Sequence, residues 1–237
     1  MSEPVRDPVL VVGGSRGTGL LIARLLLRRG YPVRVLARDR ARAVQRLGSA
    51  VAVVEGDITK PDTIAPAVRD AGHIIVTAGI RSGHFAREDQ VKRTDYQGVV
   101  NVLSAAGRQG MTGRFLYMNA LGVTTPSPAA ALLNLWKRKT LVWRRRVEEE
   151  IRASGLDYTI IRAGFLVNGA AGRRAVVVSR IPLPLSPRYR ISREDVAEAF
   201  VEALGHPRAS RATFDIVWGK GARREGWSVL MDRLVPD

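Results

Sequence analysis

Residues 9–19 read "VLVVGGSRGTG", and this stretch decides the fold. Four aliphatic residues in a row predict a short strand covered on both faces. The next stretch, "LLIARLLLRRG" (20–30), is apolar at helical spacing and closes on Gly30. A strand, a glycine turn and a helix in that order aim the free N–H groups of the helix at whatever lies over the turn. Gly13 suits the tight turn, Gly17 the close approach of backbone to a pyrophosphate, and Gly19 the packing of helix on sheet. Ser15, Arg16 and Thr18 complete the loop.

Working outward, the same alternation continues. "YPVRVLA" (31–37), "AVAVVEG" (50–56), "HIIVTAG" (73–79), "RFLYMNA" (114–120), "DYTIIRAG" (157–164) and "TFDIVW" (213–218) read as further strands. "RTDYQGVVNVLSAAGRQG" (93–110) reads as an intervening helix. Strand and helix alternating along most of a chain predict an α/β fold with a doubly wound parallel sheet. Two stretches break the rhythm. Residues 122–146 leave a Ser/Thr/Pro loop and enter a basic amphipathic helix, and 181–190, "IPLPLSPRYR", is proline-rich and irregular or edge-like. Ligands in such folds sit outside the carboxyl ends of the strands.

The 237 residues include no cysteine, which excludes disulfides, thiolate metal sites and cysteine nucleophiles. Three scattered histidines give no ligand-spaced metal cluster, and there is no Gly-x-Ser-x-Gly elbow of a serine hydrolase. No apolar run reaches spanning length and "MSEPVRDP" has no signal-peptide core, so the expectation is a soluble, cytoplasmic protein. The formal charge is +16, and all but five of the 38 basic residues are arginine. Spread along the chain, they read as a solvated surface or as attraction to an acidic partner, membrane surface or nucleic acid.

The second strand ends "VLARD", with Arg38 where an NAD-binding chain usually carries the acidic residue that holds the ribose hydroxyl. Together with Arg16 it suits a 2′-phosphate, so NADP(H) is expected over NAD(H). Asp57, in "VEGDIT" and followed by Ile58, suits the adenine amino group or, alternatively, a helix cap. Ala78 and Gly79 end the fourth strand with little bulk, leaving space for a ribose.

"GGSRGTG", "LARD", "VEGDIT", "TDYQGVVNVLSAA", "SGLDYTIIRAGFL" (154–166) and "ISREDVAEAFVEAL" (191–204) resemble the NmrA-like, NAD(P)-binding group of the atypical short-chain dehydrogenase/reductase superfamily. The family usually has Arg-Pro-Gly where this chain has Arg162-Ala163-Gly164. The resemblance implies one Rossmann-like domain over residues 1–237, with a small C-terminal substrate lobe from 164–190 and 219–237. It also implies Gly164 near the cofactor and a serine, tyrosine and lysine for catalysis. Those positions fall on Asn119 and Ala120, Thr140 and Arg144, so all three identities are missing. Arg144 remains a fixed cation for the ribose, Asn119 a donor to a substrate carbonyl, and His84 a substitute proton donor or an exposed loop residue. Tyr117 is expected in the core, Tyr96 to pack where its helix opens, and Tyr189 is a candidate for lining the lobe.

Two functions follow from this reading. One is an NADPH-dependent oxidoreductase acting on a small organic metabolite without the usual Tyr/Lys pair. The other is a non-catalytic NADP(H) redox sensor or assembly factor. A homodimer, or association of the basic segment 136–146 with nucleic acid or an acidic membrane, stands beside both; no metal is expected.

Overall fold

The computed structural model describes residues 7–80 and 87–237. Six parallel strands form its centre: β1 (Val9–Val12), β2 (Val33–Ala37), β3 (Ala52–Glu55), β4 (His73–Val76), β5 (Arg114–Ala120) and β6 (Asp157–Ala163). They lie in the order β3-β2-β1-β4-β5-β6, the doubly wound order of a dinucleotide fold. The remaining strands are β7 (Phe165–Val167), β8 (Val176–Ser179), β9 (Arg190–Ser192) and β10 (Ala212–Trp218). β10 extends the sheet in parallel beside β6, β8 closes that edge antiparallel to β10, and β7 pairs with β9 in a separate two-stranded sheet.

The alternation along each strand sends side chains to two opposite cores. Val9 and Val11 of β1 face helices α1 (Gly17–Arg28) and α2 (Arg40–Leu47). Leu10 and Val12 face α3 (Ala65–Val68), α5 (Gly98–Arg108) and α7 (Thr140–Ala153). Between α3 and α5, the four-residue α4 (Glu88–Val91) runs into a π-helical turn, Lys92–Gln97, where one continuous helix was expected. α6 (Pro128–Trp136) precedes α7, and α8 (Arg193–Gly205) and α9 (Trp227–Met231) follow it.

One expectation needs correction. The basic segment 136–146 is not one helix: Arg138 and Lys139 take left-handed backbone angles, φ 51° and 62°, and separate α6 from α7. Residues 219–237 touch 164–190, with the Gly219 N–H donating to the Ala175 carbonyl at 2.8 Å and the Ala175 N–H to the Gly221 carbonyl at 3.2 Å, and their second half reaches further in. Trp227, Leu230, Met231 and Leu234 are buried in the main core with α1 and α8.

His73, at the start of β4, accepts a hydrogen bond on Nδ1 from the Arg114 backbone N–H at 2.8 Å. Burial first, and then the Arg114 charge, hold its pKa below the ordinary histidine value of 6.5. The sign follows: this contribution is present above the unfolded-state pKa and is lost as pH falls through the lower folded-state value. We expect His73→Asn, which can keep the accepted bond without titrating, to lose less stability than the wild type between neutral and mildly acidic pH. Guanidinium unfolding at both pH values measures it; equal losses in the two proteins would disprove the assignment.

Candidate functional site: a cleft over the glycine loop

The turn between β1 and α1 is built for close approach. Gly13 has φ 90°, and a Cβ there would lie 2.9 Å from the Ala78 backbone nitrogen. Gly17 has φ 53° with open space where its Cβ would be. Gly19 presses against the Gly13 carbonyl and Thr77, so the helix sits directly on the sheet. The N-terminus of α1 has neither a side-chain cap nor an acidic residue in its first turn. The buried Thr18 hydroxyl, next to those open N–H groups, finds no hydrogen-bond partner among the described residues. Unsatisfied donors and a positive dipole end are what a phosphate would satisfy.

A cavity of about 770 Å³ lies over this turn. Gly13, Ser15, Arg16, Gly17, Thr18 and Gly19 line it from the loop, Arg38, Asp57 and Ile58 from the β2–β3 side, and Ala78, Gly79 and Arg144 from the middle. Met118 and Leu166 give the far end an apolar wall, with Arg193 at the start of α8 beside them. Of the charged side chains lining it among the described residues, five are arginines and only Asp57 is acidic. Asp57 also closes a local turn, with Oδ1 accepting from both the Thr59 N–H and hydroxyl at 2.9 Å.

Beside the loop is a second hollow of about 380 Å³, lined by Ser15, Arg16, Arg38, Asp39, Arg42 and Arg46. Arg46 reaches it by donating to the Ser15 carbonyl at 2.9 Å, while Asp39 is committed to capping α2 through the Arg42 N–H at 2.8 Å. Arg42 and Arg46 escaped the sequence reading. Their spacing of four on α2 puts both on the side of the helix toward the loop, and only tertiary placement of α2 makes that visible.

The middle of the cleft is organised by Asp95, which the sequence reading also missed. It is buried on the π-helical turn. Its Oδ1 accepts from the Ile80 N–H at 2.6 Å, and its Oδ2 from the Thr140 hydroxyl at 2.8 Å and Arg144 Nε at 3.4 Å. Burial opposes charge on Arg144, but Asp95 and then Tyr117 outweigh it, so its pKa is raised and the guanidinium is a permanent cation. Its Nη2 lies against Gly79, 2.6 Å from where a Cβ would stand.

Other candidates fall elsewhere. Asn119 does not reach the cleft: it is buried, donates to Glu148 Oε1 at 2.7 Å, and accepts from the Ala120 N–H at 2.9 Å. Gly164 is absent from the wall; it admits the Tyr189 carbonyl, which a Cβ would meet at 2.6 Å. Thr140 is spent on Asp95. Tyr117 is fully buried, and burial pushes its phenol well above the ordinary value. His84 lies outside the described residues. Among the described residues no tyrosine, lysine or histidine lines the cleft, and no group of His, Asp and Glu is placed to hold a metal ion.

Residues 13–207 match the family model described as NAD(P)H-binding. This chain belongs to that family. Among family relatives, it is 29% identical over 254 residues to sanguinarine reductase of Eschscholzia californica, covering 92% of this chain and 90% of the relative. It is 31% identical over 221 residues to an uncharacterized chloroplastic protein of Arabidopsis thaliana, covering 88% of this chain and 76% of that one. Among solved structures, ChuY, an anaerobilin reductase of Escherichia coli, superimposes with a TM-score of 0.72 at 25% identity, covering 89% and 97% of the two chains. The fold class and the NmrA-like resemblance thus stand. The cytoplasmic expectation does not: relatives that carry a compartment in their names are chloroplastic. No helix among the described residues is long and apolar enough to cross a membrane.

Removing Asp95 leaves Arg144 without its carboxylate and orphans the Ile80 N–H. Asp95→Ala should therefore cost roughly 3 kcal/mol or more of stability, as loss of one partner from a buried pair does. Denaturant unfolding of the two proteins gives the difference, and a change under ~0.5 kcal/mol would remove Asp95 from its organising place.

Proposed function

We propose that this protein is an NADPH-dependent reductase of a small organic acceptor that is already electrophilic. The observation that carries the reading is the cleft itself: one space runs from Arg16 and Arg38 at the glycine loop to Met118 and Leu166, and a second, arginine-lined hollow lies beside the loop. A nicotinamide nucleotide fits what the residues offer, since the open α1 terminus and the partnerless Thr18 hydroxyl suit the pyrophosphate. Arg16, Arg38, Arg42 and Arg46 suit the 2′-phosphate, and Arg144 beside Gly79 suits the nicotinamide ribose. The family membership and the similarity to two proteins named as reductases support the same reading.

When bound, a reduced nicotinamide supplies a hydride. The chain's own part is to orient and to exclude water. Met118 and Leu166 wall off the acceptor, Gly79 lets the ribose lie close to the strand end, and Arg144 fixes it without relaying a proton. The described wall offers no phenol or amine to give a proton, which favours acceptors that need little acid assistance. The same absence favours a second reading, a non-catalytic NADP(H) sensor, which would bind the cofactor and turn over nothing.

Calorimetry should show Arg38→Ala and Arg42→Ala each losing about tenfold to a hundredfold in NADPH affinity, the worth of one or two charge-assisted bonds, with NADH binding changed less than about threefold. Equal losses for both nucleotides would deny the pocket its phosphate. NADPH oxidation against a panel of quinones, enones and iminium compounds then separates the two functions: turnover of any member supports the reductase, and tight binding without turnover across the panel supports the sensor.

A further inference from the structure

α6 is out of keeping with the surface around it. Its nine residues, "PAAALLNLW", contain no charge. Pro128, Ala131, Leu132, Leu135 and Trp136 recur at the spacing of one helical face, and that face points to solvent. Leu132 is 67% exposed, Leu135 74% and Trp136 47%, and Val142, in the first turn of α7, is 40% exposed. The helix is not loose. Ala130 is buried against Leu121, Val123, Leu141 and Leu185, and Ser127 caps the helix at the Ala130 N–H and donates to the Leu185 carbonyl at 3.0 Å. Asn134 fixes the far end, accepting from the Lys139 N–H at 2.7 Å on its carbonyl and from the Leu141 N–H at 2.9 Å on its side chain. An apolar stripe held rigidly outward marks an interaction surface.

Its flank says which kind. Lys137, Arg138 and Lys139 follow the stripe directly, and the Lys137 ammonium lies 5.9 Å from the centre of the Trp136 ring. Residues 121–142 contain no carboxylate. A nucleic acid would take the cations and leave the leucines wet. A second copy paired two-fold through this stretch would bring Lys137 and Arg138 of each chain, with Lys139 already paired to Glu88 at 3.2 Å, to an interface where the segment itself supplies no acid. An anionic lipid surface takes both, with leucine and tryptophan in the acyl boundary and the cations among the headgroups.

We propose that α6 and the basic turn behind it dock this protein on anionic membrane surfaces. No residue of 128–139 lines the cleft, so the surface is separable from cofactor binding. The test is co-sedimentation of the full chain with phosphatidylcholine vesicles made with and without phosphatidylglycerol, with NADPH affinity as the control for folding. The wild type should pellet with the anionic vesicles only and be released by raised salt. Leu135→Glu and the pair Lys137→Glu with Arg138→Glu should each reduce partitioning by roughly tenfold while binding NADPH as the wild type does. Failure to pellet, equal pelleting with neutral vesicles, or indifference to either variant overturns the proposal. So does a dimer that Leu135→Glu dissolves, or binding to duplex DNA that persists in Leu135→Glu while vesicle binding is absent.

Discussion

A carboxylate with no water around it must be satisfied by its neighbours, and Asp95 is satisfied by two segments that frame the cleft. The Ile80 N–H belongs to the loop leaving β4, Thr140 opens α7, and Arg144 stands one turn further along α7. None of these is adjacent to Asp95 in sequence, so the carboxylate sets the distance between the β4 loop and α7. The π-helical turn is part of the same arrangement. A wider turn offsets the helix by one residue, and here the residue brought inward is the acid. Thr140 and Arg144, to which the family resemblance assigns the tyrosine and lysine positions, are thus both partners of Asp95.

A second buried group holds the neighbouring strand ends. Arg162 on β6 makes a two-pronged contact with Glu148 on α7, 2.7 Å through Nε and 2.6 Å through Nη2, while Asn119 on β5 donates to the same carboxylate. Asp215 on β10 lies 3.6 Å from Arg162, and burial, outweighing Arg162, raises its pKa to about 6. Such a group adds little net stability over an apolar core of the same shape, since desolvation offsets most of the attraction. It does tie three strands to one helix, since Asn119, Arg162 and, through Arg162, Asp215 converge on Glu148. Asn119 reads from sequence as a substrate ligand only because its partner is 29 residues away and unseen.

What the sequence made legible was local. The glycine loop, the seven parallel strands of the main sheet and α1 are written in adjacent residues: apolar runs, turn residues and a 3.6-residue period. Arg16 and Arg38 were readable because the loop and the end of β2 have fixed places relative to each other in this topology. Arg42, Arg46 and Asp95 were not, because each acquires its meaning from a helix packed at a particular angle. The break at Arg138 and Lys139 was hidden for a different reason. Neither residue type favours left-handed backbone, so the chain adopts it under the pull of the Asn134 contacts. β8 escaped as well: "VVVS" (176–179) is as long as β1 but is followed by the proline-rich stretch 181–190 rather than a helix, and only the edge of β10 makes it a strand.

Part of the charge that is spread through the sequence is gathered at the cleft. Five arginines and one carboxylate around a cleft of about 770 Å³ concentrate positive potential where low-dielectric walls strengthen it. A polyanionic nucleotide would neutralise that field at the glycine-loop end while leaving Arg193 facing the apolar end. The far end is then weakly polar, walled by Met118 and Leu166, and without a titratable donor among the described residues. If the proposed nucleotide binds there, alignment and exclusion of water are what the described walls offer an acceptor, and the more electrophilic that acceptor is, the less acid assistance it needs.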